Sequence, residues 1–537
     1  MYDVLIQNGT LIDGSGRKRF RGDIAITGDR IAKIAPKIHE PATRIINAEG
    51  LFVSPGFIDY HSHSDGDVLL NPDSYNFLEQ GTTTQITGQC GSGPAPMYEN
   101  LEYHGQYGLD QQTWEKMTSV CQDFRHFMDH VEQSHYGTNY AFYLPHGNVR
   151  GKVMYYSPQK PTAEQMEAMK ALVAQAMEAG YLGMTTGLVY APSVYADVEE
   201  IAELSKVVAT YGGSYASHIR GEGDKVIPSV EEAIEVGRRA RVPVIISHLK
   251  VLGKNNQGKS GHLLRLMEEA NRDGIRVRAD QYPFLAGSAP FIAQIPPKYL
   301  TEGKDKLLQR LADSEFRKTV LHSIFNETEE FQSSIYEAGF EGCFMAAAPK
   351  TPEYIGKNIA EIAAEEGKEP MDVACDILIA NQGEVQGIYF SQNMEDMLNI
   401  IAHPLVMGGS DWSDYTKKID PEQKSGGHPR GTATMVRRLE LLRDYGLLSL
   451  ESAIYSITGL PADTSGLQGI GLLREGYRAD ITIFDYAKLH CNADFTYPFR
   501  KNDGIQTVLV GGQVAVENGL ATGVKNGIVL KKIPKQA

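Results

Sequence analysis

The stretch that decides the fold is Val53-Ser-Pro-Gly-Phe-Ile-Asp-Tyr-His-Ser-His63, an apolar, strand-like run that ends in two histidines. Alternate residues of a strand point to the same side, so His61 and His63 can converge on one metal ion. A lone His-x-His pair is too short a pattern to define a site. The metal-site interpretation therefore depends on what the rest of the chain supplies.

Seven further strand candidates follow this stretch and alternate with amphipathic helical segments. The strand candidates are Thr83–Cys90, Tyr140–His146, Gly183–Tyr190, Ser214–Arg220, Val244–Lys250, Arg276–Tyr282 and Leu405–Asp411. The clearest helical patterns are Thr162–Glu178, Ser229–Ala240 and Leu263–Arg272. Such alternation is typical of βα units around a parallel sheet. Eight units predict a (β/α)8 barrel, whose active site lies at the carboxyl ends of the strands.

Two other segments depart from the βα pattern. Residues 1–54 and 465–537 contain short strands with turn signals, such as Asn8-Gly9, and predict one small β-sandwich domain built from both ends of the chain. The barrel would then occupy residues 55–464. The interval before the eighth strand is too long for one loop and has its own helical patterns, Thr301–Leu311 and Met371–Ile379. Residues 285–345 are interpreted as an insertion over the barrel mouth and a candidate lid.

Bulk composition excludes several classes of protein. A net charge of −15 and a pI near 5.5 argue against a nucleic-acid partner, which requires clustered cations. No apolar run approaches the ~18 residues of a membrane helix, and the first residues lack the features of a secretory signal. We therefore expect a cytoplasmic protein with no membrane partner. The five cysteines are scattered and odd in number, so no disulfide framework is predicted.

Four residues at the ends of other strand candidates could complete a metal site. Cys90 lies in a glycine-rich turn, while His218 and His248 each end a separate strand; thiolate and imidazole are both good zinc ligands. Asp411 ends the last strand and could act as general base. Taken singly, Cys90 could be a buried apolar residue and Asp411 a helix N-cap. Their joint placement at strand ends favours a site.

The same stretches, taken together over nearly the full length, resemble the N-acyl-D-amino-acid deacylase (D-aminoacylase) family of the amidohydrolase superfamily. The motifs that carry the resemblance are Pro55-Gly-Phe-Ile-Asp59, Gly88-Gln-Cys-Gly91, Gly187-Leu-Val-Tyr-Ala-Pro192, Ser217-His-Ile-Arg-Gly-Glu222, Ser247-His-Leu-Lys250, Asp280-Gln-Tyr-Pro-Phe284, Gly409-Ser-Asp411, His428-Pro-Arg430 and Arg474-Glu-Gly-Tyr-Arg-Ala-Asp480.

The resemblance implies an enzyme that hydrolyses the amide bond of a small N-acyl-D-amino acid. It implies that Cys90, His218 and His248 hold a tightly bound zinc, with His61 and His63 beside it for a weaker second metal, and that Asp411 is the base. It further implies that the substrate carboxylate is held by Lys250, Tyr282, Ser288 and Arg430, a set of cations and hydroxyls suited to a carboxylate. Tyr190, or His218 itself, would lie near the oxyanion.

This sequence departs from the family at positions that bear on the substrate. Trp412 follows Asp411 where glycine is usual, and residues 431–434 read Gly-Thr-Ala-Thr instead of an aromatic-containing run. Relatives specific for acidic D-amino acids have an arginine after the seventh strand. Here no Lys or Arg occurs between Arg278 and Lys298. We therefore expect a neutral or hydrophobic substrate side chain.

Two other interpretations remain at this stage. A cyclic-amide hydrolase of the dihydroorotase or hydantoinase kind shares the barrel and the His pair, but generally carries a metal-bridging lysine on the fourth strand, which Gly183–Tyr190 lacks. A non-catalytic protein of the same fold would be expected to have lost ligands, and none is missing here. The sequence does not specify the acyl group, the number of catalytic metals or the oligomeric state.

Overall fold

The computed structural model describes residues 1–70, 73–98, 111–328, 331, 333–415, 419–424 and 426–532. Its central unit is a closed barrel of parallel strands. In chain order they are Phe57–Asp59, Thr82–Thr87, the third strand in two pieces (Asn139–Phe142 and Leu144–Pro145), Gly183–Gly187, Ser214–His218, Val244–Ile246, Val277–Gln281 and Val406–Gly408. The barrel closes where Tyr60 N donates to the Gly408 carbonyl oxygen at 3.1 Å. The predicted (β/α)8 barrel is confirmed.

Helices cover the outside of the barrel, so that its strands are buried on both faces, as parallel sheets require. These helices are Tyr75–Leu78, Gln111–Val120, Phe124–Val131, His146–Met154, Ala163–Ala179, Val198–Thr210, Val226–Ala240, Ser260–Arg272, Met394–Ile401, Arg430–Asp444, Leu450–Tyr455 and Gly459–Ser465. Short 3₁₀ turns lie at Asp67–Leu69, Ser193–Tyr195 and Lys254–Asn256. Inside the barrel, Ile58, Ile86, Ala216, Ile245 and Met407 pack into one apolar cluster. Within the described ranges, no helix combines the length and apolar character needed to cross a bilayer.

The first strand candidate, Val53–His63, proves to be two strands in different sheets. Phe52–Pro55 pairs with Ile481–Phe484 in the terminal domain, and only Phe57–Asp59 belongs to the barrel. The change occurs at Gly56, where an added Cβ would lie 2.1 Å from Thr83 Oγ1. This close approach lets the chain pass directly from one sheet to the other.

Both ends of the chain contribute strands to one nine-stranded sheet. The strands are Tyr2–Leu11, Phe20–Thr27, Arg30–Ala35, Ala42–Asn47, Phe52–Pro55, Ile481–Phe484, Ile505–Val510, Gln513–Glu517 and Leu520–Ala521. Ile6, Ile24, Val53, Ile481 and Leu509, from five of these strands, share one core. The small β domain is thus formed from both termini; residues 533–537 of the predicted segment lie outside the described residues.

A separate unit is inserted between the seventh and eighth barrel strands. It has a three-stranded antiparallel sheet, Ala286–Pro290, Cys343–Ala347 and Gln386–Phe390, with the helices Lys304–Arg310, Ser314–Asn326, Ser334–Ala338, Ile359–Glu366 and Pro370–Ala380 and 3₁₀ turns at Phe291–Gln294, Pro297–Tyr299, Phe340–Gly342 and Pro352–Tyr354. The unit extends beyond the predicted end at residue 345, because its first strand pairs with 386–390. That pairing joins residues about 100 apart, which local sequence patterns do not reveal.

Gly88 ends the second barrel strand in a conformation that only glycine adopts easily. Its φ is +76°, and an added Cβ would lie 2.0 Å from the Tyr143 carbonyl oxygen of the third strand. The turn that presents Cys90 therefore depends on this glycine.

We predict that Gly88→Ala lowers the free energy of unfolding by about 3 kcal/mol, since it combines positive-φ strain with a backbone clash. Gly274→Ala is the matched control: its φ is +86° but the surrounding space is open, so a cost of about 1 kcal/mol is expected. Denaturant unfolding of the two variants measures the difference, and equal costs would contradict this account.

Candidate metal and catalytic site

Five histidine and cysteine side chains and one aspartate meet at the carboxyl end of the barrel. Two groups of possible metal ligands share Cys90: one adds His218 and His248, and the other adds His61, His63 and Asp411. In each group the ligand atoms lie within 4.8 Å of one another. The residues for which the sequence predicts metal binding and base catalysis are therefore brought together.

Distances around Cys90 Sγ describe a compact donor set. The sulfur lies 3.3 Å from His248 Nε2 and 3.4 Å from His61 Nε2, while His248 Nε2 lies 2.9 Å from His218 Nδ1. Donor atoms bound tetrahedrally to one zinc ion are expected about 3.3–3.6 Å apart, given Zn–N and Zn–S bonds of about 2.0 and 2.3 Å. The donor chemistry and the two distances from Cys90 Sγ fit zinc, whereas the 2.9 Å between the His248 and His218 nitrogens is shorter than the spacing of two zinc-bound donors.

Three of these residues lie in the left-handed backbone region, which is uncommon for residues other than glycine. The φ angles are 52° at Cys90, 34° at His248 and 53° at Asp411. Each residue lies two or three positions after the end of its strand. Such conformations concentrate at functional sites, where the surrounding structure holds them.

Two carboxylates, the buried Asp280 and the half-buried Glu222, lie behind two of the imidazoles. Asp280 Oδ1 lies 3.0 Å from His61 Nδ1 and also accepts a hydrogen bond from His248 N. Glu222 Oε1 lies 3.0 Å from His248 Nδ1 and 2.5 Å from Lys250 Nζ. In both imidazoles the Nε2 atom is thus left to face Cys90, as expected of metal ligands with supporting carboxylates.

Sequence reasoning missed the roles of Asp280 and Glu222. Both stand in the motifs that carry the family resemblance, but a carboxylate behind an imidazole has no spacing rule in the sequence. The one available indication of these roles was that both carboxylates lie near the ends of strands, beside the predicted histidine ligands.

Electrostatics favours the charged forms of the thiol and of the base. Burial alone raises the pKa of Cys90, but the adjacent His248 and His61 hold it well below its ordinary value. Burial likewise raises the pKa of Asp411, and Arg430 together with His248 holds it well below the usual range. A thiolate ligand and an ionised base are the states that the predicted chemistry needs.

The base lies between a histidine and an arginine. Asp411 Oδ1 is 3.0 Å from His63 Nε2, and Asp411 Oδ2 is 2.8 Å from Arg430 Nη1. The backbone N–H of Asp411 donates to the carbonyl oxygen of His61 at 2.7 Å. Asp411 is thus fixed at the seam between the first and last barrel strands, and it caps no helix among the residues that the structure describes.

The predicted substrate residues line one cavity of about 700 Å³ that opens onto Cys90, His218, His248 and Asp411. Tyr282 is fully buried, with the Arg430 guanidinium 4.7 Å from its ring centroid. Arg430 Nε is buried without a hydrogen-bond acceptor among the described residues. Tyr190 packs edge-on against the His218 ring, with centroids 5.2 Å apart.

Two predicted carboxylate-binding groups already have internal partners. Lys250 Nζ is paired with Glu222 and also contacts His248 Nδ1 at 2.7 Å. The Ser288 hydroxyl donates to the Gly387 carbonyl oxygen at 2.9 Å, within the inserted unit. Of the two predicted cations, Lys250 is already paired, whereas the buried Nε–H of Arg430 has no acceptor among the described residues.

The two sequence departures are in direct contact. Trp412 packs against Gly431, where an added Cβ would lie 2.3 Å from Trp412 Cδ1. The Arg430 guanidinium lies 5.3 Å from the Trp412 ring centroid. A larger side chain at position 431 would collide with Trp412, so the tryptophan requires the glycine that follows Arg430. The two departures from the family, at Trp412 and at residues 431–434, therefore form one structural change beside Asp411.

The fold and the ligand set are those of a metal-dependent amidohydrolase. A family model described as "Amidohydrolase family" matches residues 44–279 and 341–516, and this chain belongs to that family. It is 32% identical to D-aminoacylase of Alcaligenes xylosoxydans xylosoxydans, over 99% of this chain and 98% of the relative.

Solved structures agree with this assignment. A crystal structure of D-aminoacylase superposes with a TM-score of 0.81 at 31% identity, covering 99% of this chain and all of the other. N-acyl-D-glutamate deacylase from Bordetella bronchiseptica, solved with zinc and a phosphonate inhibitor, gives a TM-score of 0.79 at 28% identity, with 99% of each chain covered. The family resemblance expected from the motifs is confirmed.

We predict that Cys90→Ala loses tightly bound zinc, because its thiolate is shared by both donor groups. Cys121→Ala is the control: this cysteine is also buried, and burial raises its pKa to about 12. Elemental analysis after dialysis should show zinc retained in the control and reduced by about tenfold or more in Cys90→Ala. Equal zinc contents in the two variants would remove Cys90 from the ligand set.

Proposed function

We propose that the protein is a zinc-dependent deacylase that hydrolyses N-acyl-D-amino acids to a carboxylic acid and a D-amino acid. The observation that carries the proposal is the cavity in which the Cys90, His218 and His248 donors, the base Asp411 and the cation Arg430 face one another. The D-specific relatives support the stereochemistry. The fourth strand, Gly183–Gly187, carries no lysine, which disfavours a cyclic-amide hydrolase.

We propose that zinc is held by Cys90, His218 and His248, with His61 and His63 available to a second, weaker ion. Zinc at this site would supply Lewis acidity, which polarises the acyl carbonyl and acidifies the attacking water. Asp411 would take the proton of that water and deliver it to the departing nitrogen. His63, 3.0 Å from Asp411, helps to fix the carboxylate. Tyr190, whose ring packs edge-on against that of His218, is the proposed partner of the oxyanion.

Substrate binding relies on the arginine beside the base. Arg430 would bind the substrate carboxylate through its unused N–H group, with Lys250, Tyr282 and Ser288 around it. This arrangement would also bring the scissile nitrogen close to Asp411, because the arginine that holds the substrate carboxylate is itself paired with Asp411 at 2.8 Å. Orientation by a fixed cation is a recognised source of catalytic rate.

A neutral or hydrophobic side chain fits the remainder of the cavity. Among the described lining residues, Lys250 and Arg430 are the only lysine or arginine, and each is paired with a carboxylate. The wall from the inserted unit presents Gly287, Ala289 and Ala293. An acidic side chain would therefore find no free cation there.

The proposed function is tested by amine release from N-acetyl derivatives of D- and L-leucine, D-methionine and D-glutamate. We expect turnover of D-leucine and D-methionine derivatives by zinc-loaded enzyme, weak turnover of D-glutamate, and none after chelation. Preference for L substrates would overturn the stereochemistry, and preference for D-glutamate would overturn the side-chain assignment. Absence of turnover on every substrate by zinc-loaded enzyme would reject the deacylase proposal.

Asp411→Asn should lower kcat by about 10³-fold, because the amide cannot accept the proton of the attacking water. Zinc content should stay at the unmodified level, which separates loss of the base from loss of the metal. Asp444→Asn, an exposed aspartate paired with Arg443, serves as the control and should remain fully active. Unchanged turnover in Asp411→Asn would assign the base elsewhere.

A further inference from the structure

A buried ionic cluster that the proposed mechanism does not use lies behind the cavity wall. His146 and Arg150 belong to the helix His146–Met154, which follows the third barrel strand, and Glu200 belongs to the helix Val198–Thr210. The two basic residues are fully buried, and Glu200 is 3% exposed. Glu200 Oε1 lies 3.1 Å from His146 Nε2 and 3.0 Å from Arg150 Nε. Because ionic groups cost free energy to bury, a gain in stability does not by itself account for this cluster.

The cluster reaches the cavity through one hydroxyl group. His146 Nδ1 lies 2.9 Å from Ser193 Oγ, while the other ring nitrogen of His146 faces Glu200. Ser193 lies in the segment 188–197, between the fourth barrel strand and the next long helix, and residues 189–193 line the cavity. We call the segment 188–197 the tyrosine loop, because it carries Tyr190. The buried cluster is therefore attached to a loop of the site.

A second ionic contact holds the tyrosine loop from the other side. Arg220 lies two residues after the fifth barrel strand. It donates from Nη1 to the Val194 carbonyl oxygen and from Nη2 to the Ala196 carbonyl oxygen, both at 2.8 Å. Its guanidinium group is also paired with Glu232 at 2.9 Å. A planar guanidinium with two acceptors on one loop fixes the position of that loop.

Tyr190 lies beside two of the predicted zinc ligands. Its ring packs edge-on against that of His218, with centroids 5.2 Å apart. A Cβ added at Gly187 would lie 2.8 Å from Tyr190 Cδ2 and 2.1 Å from the Cys90 carbonyl oxygen, so the ring and the Cys90 turn share the space that this glycine leaves. The Tyr190 carbonyl oxygen accepts from Val194 N at 2.8 Å. A movement of the loop at Val194 would therefore be passed to Tyr190.

We propose that His146 and Arg220 are positioning residues, which hold the tyrosine loop from two sides so that the Tyr190 hydroxyl stays within reach of the oxyanion. This inference rests on the proposed function, in which Tyr190 is the partner of the oxyanion. Neither His146 nor Arg220 is among the described residues that line the cavity, so both act through Tyr190. A donor to an oxyanion is effective when it is held in advance at the place where the charge develops. The two contacts supply that restraint.

Two substitutions release the loop from opposite sides. Ser193→Ala removes the hydroxyl that meets His146, and Arg220→Gln removes the guanidinium that binds the loop carbonyls. With zinc-loaded enzyme and N-acetyl-D-leucine, we expect each substitution to lower kcat by about tenfold or more, because a misplaced catalytic group loses rate steeply. KM should stay within about twofold, since the interaction concerned is made in the transition state. Zinc content should not change.

Each substitution has a matched control. Ser205→Ala changes another buried serine, whose hydroxyl has no hydrogen-bond partner among the described residues. Arg238→Gln changes an exposed arginine that is paired with Glu235. Both control variants should keep the kcat of the unmodified enzyme.

The decisive measurement combines each substitution with Tyr190→Phe, which alone should lower kcat by about 100-fold. In the Tyr190→Phe enzyme the hydroxyl is already absent, so Ser193→Ala or Arg220→Gln should lower kcat by no more than about a further twofold. A methylphosphonamidate analogue of N-acetyl-D-leucine, which mimics the tetrahedral intermediate, gives a readout besides turnover. Its Kd, measured by calorimetry, should rise in each single variant by about the factor by which kcat/KM falls.

The outcomes separate this inference from the proposed function. Unchanged kcat in Ser193→Ala and Arg220→Gln overturns the inference. Equal losses with and without the Tyr190 hydroxyl overturn it as well, because the contacts would then act independently of Tyr190, and loss of zinc would assign them to the metal ligands instead. Full activity of Tyr190→Phe would remove the inference and leave the deacylase function intact.

Failure of the proposed function has a different result, which is that the unmodified zinc-loaded enzyme hydrolyses no N-acyl-D-amino acid. Because the two substitutions release the loop independently, poor folding of one variant leaves the other to decide the inference.

Discussion

The seam where the barrel closes is the constraint on which the site depends. Asp411 N donates to His61 O and His63 N donates to Trp412 O, so the last strand and the first are joined beyond their regular ends. Asp59 Oδ1 accepts from both His61 N and Ser410 N in the same seam. These bonds fix the predicted base against the His pair, and a barrel that failed to close would separate them.

Strained backbone conformations and a supporting carboxylate lie around this seam. Cys90, His248 and Asp411 hold left-handed backbone conformations, which aim three side chains from different strands at one point. Such conformations cost roughly 1–3 kcal/mol each, and the surrounding contacts must offset that cost. Asp280 bridges two of the strands concerned, since it meets both His61 and His248. The strained backbone and the contacts of Asp280 therefore both hold the side chains of the site in place.

The sequence was informative where local patterns carry the structure. The strand ends at Cys90, His218 and His248 were predictable, because the C-terminal ends of parallel strands meet on one face of a barrel. The division of Val53–His63 between two sheets was not predictable, because an uninterrupted apolar run gives the same sequence pattern whether it forms one strand or two. The end of the inserted unit at residue 390 depends on a strand pair about 100 residues apart, and the pairing of Trp412 with Gly431 depends on tertiary contact. These long-range contacts have no local signature.

Charge distribution in the cavity links recognition to chemistry. Arg430 stabilises the ionised form of Asp411 and is also the proposed carboxylate anchor, so a bound substrate shares the cation that keeps the base charged. Substrate binding would then draw positive potential away from Asp411 and make it a stronger proton acceptor once the amide is in place.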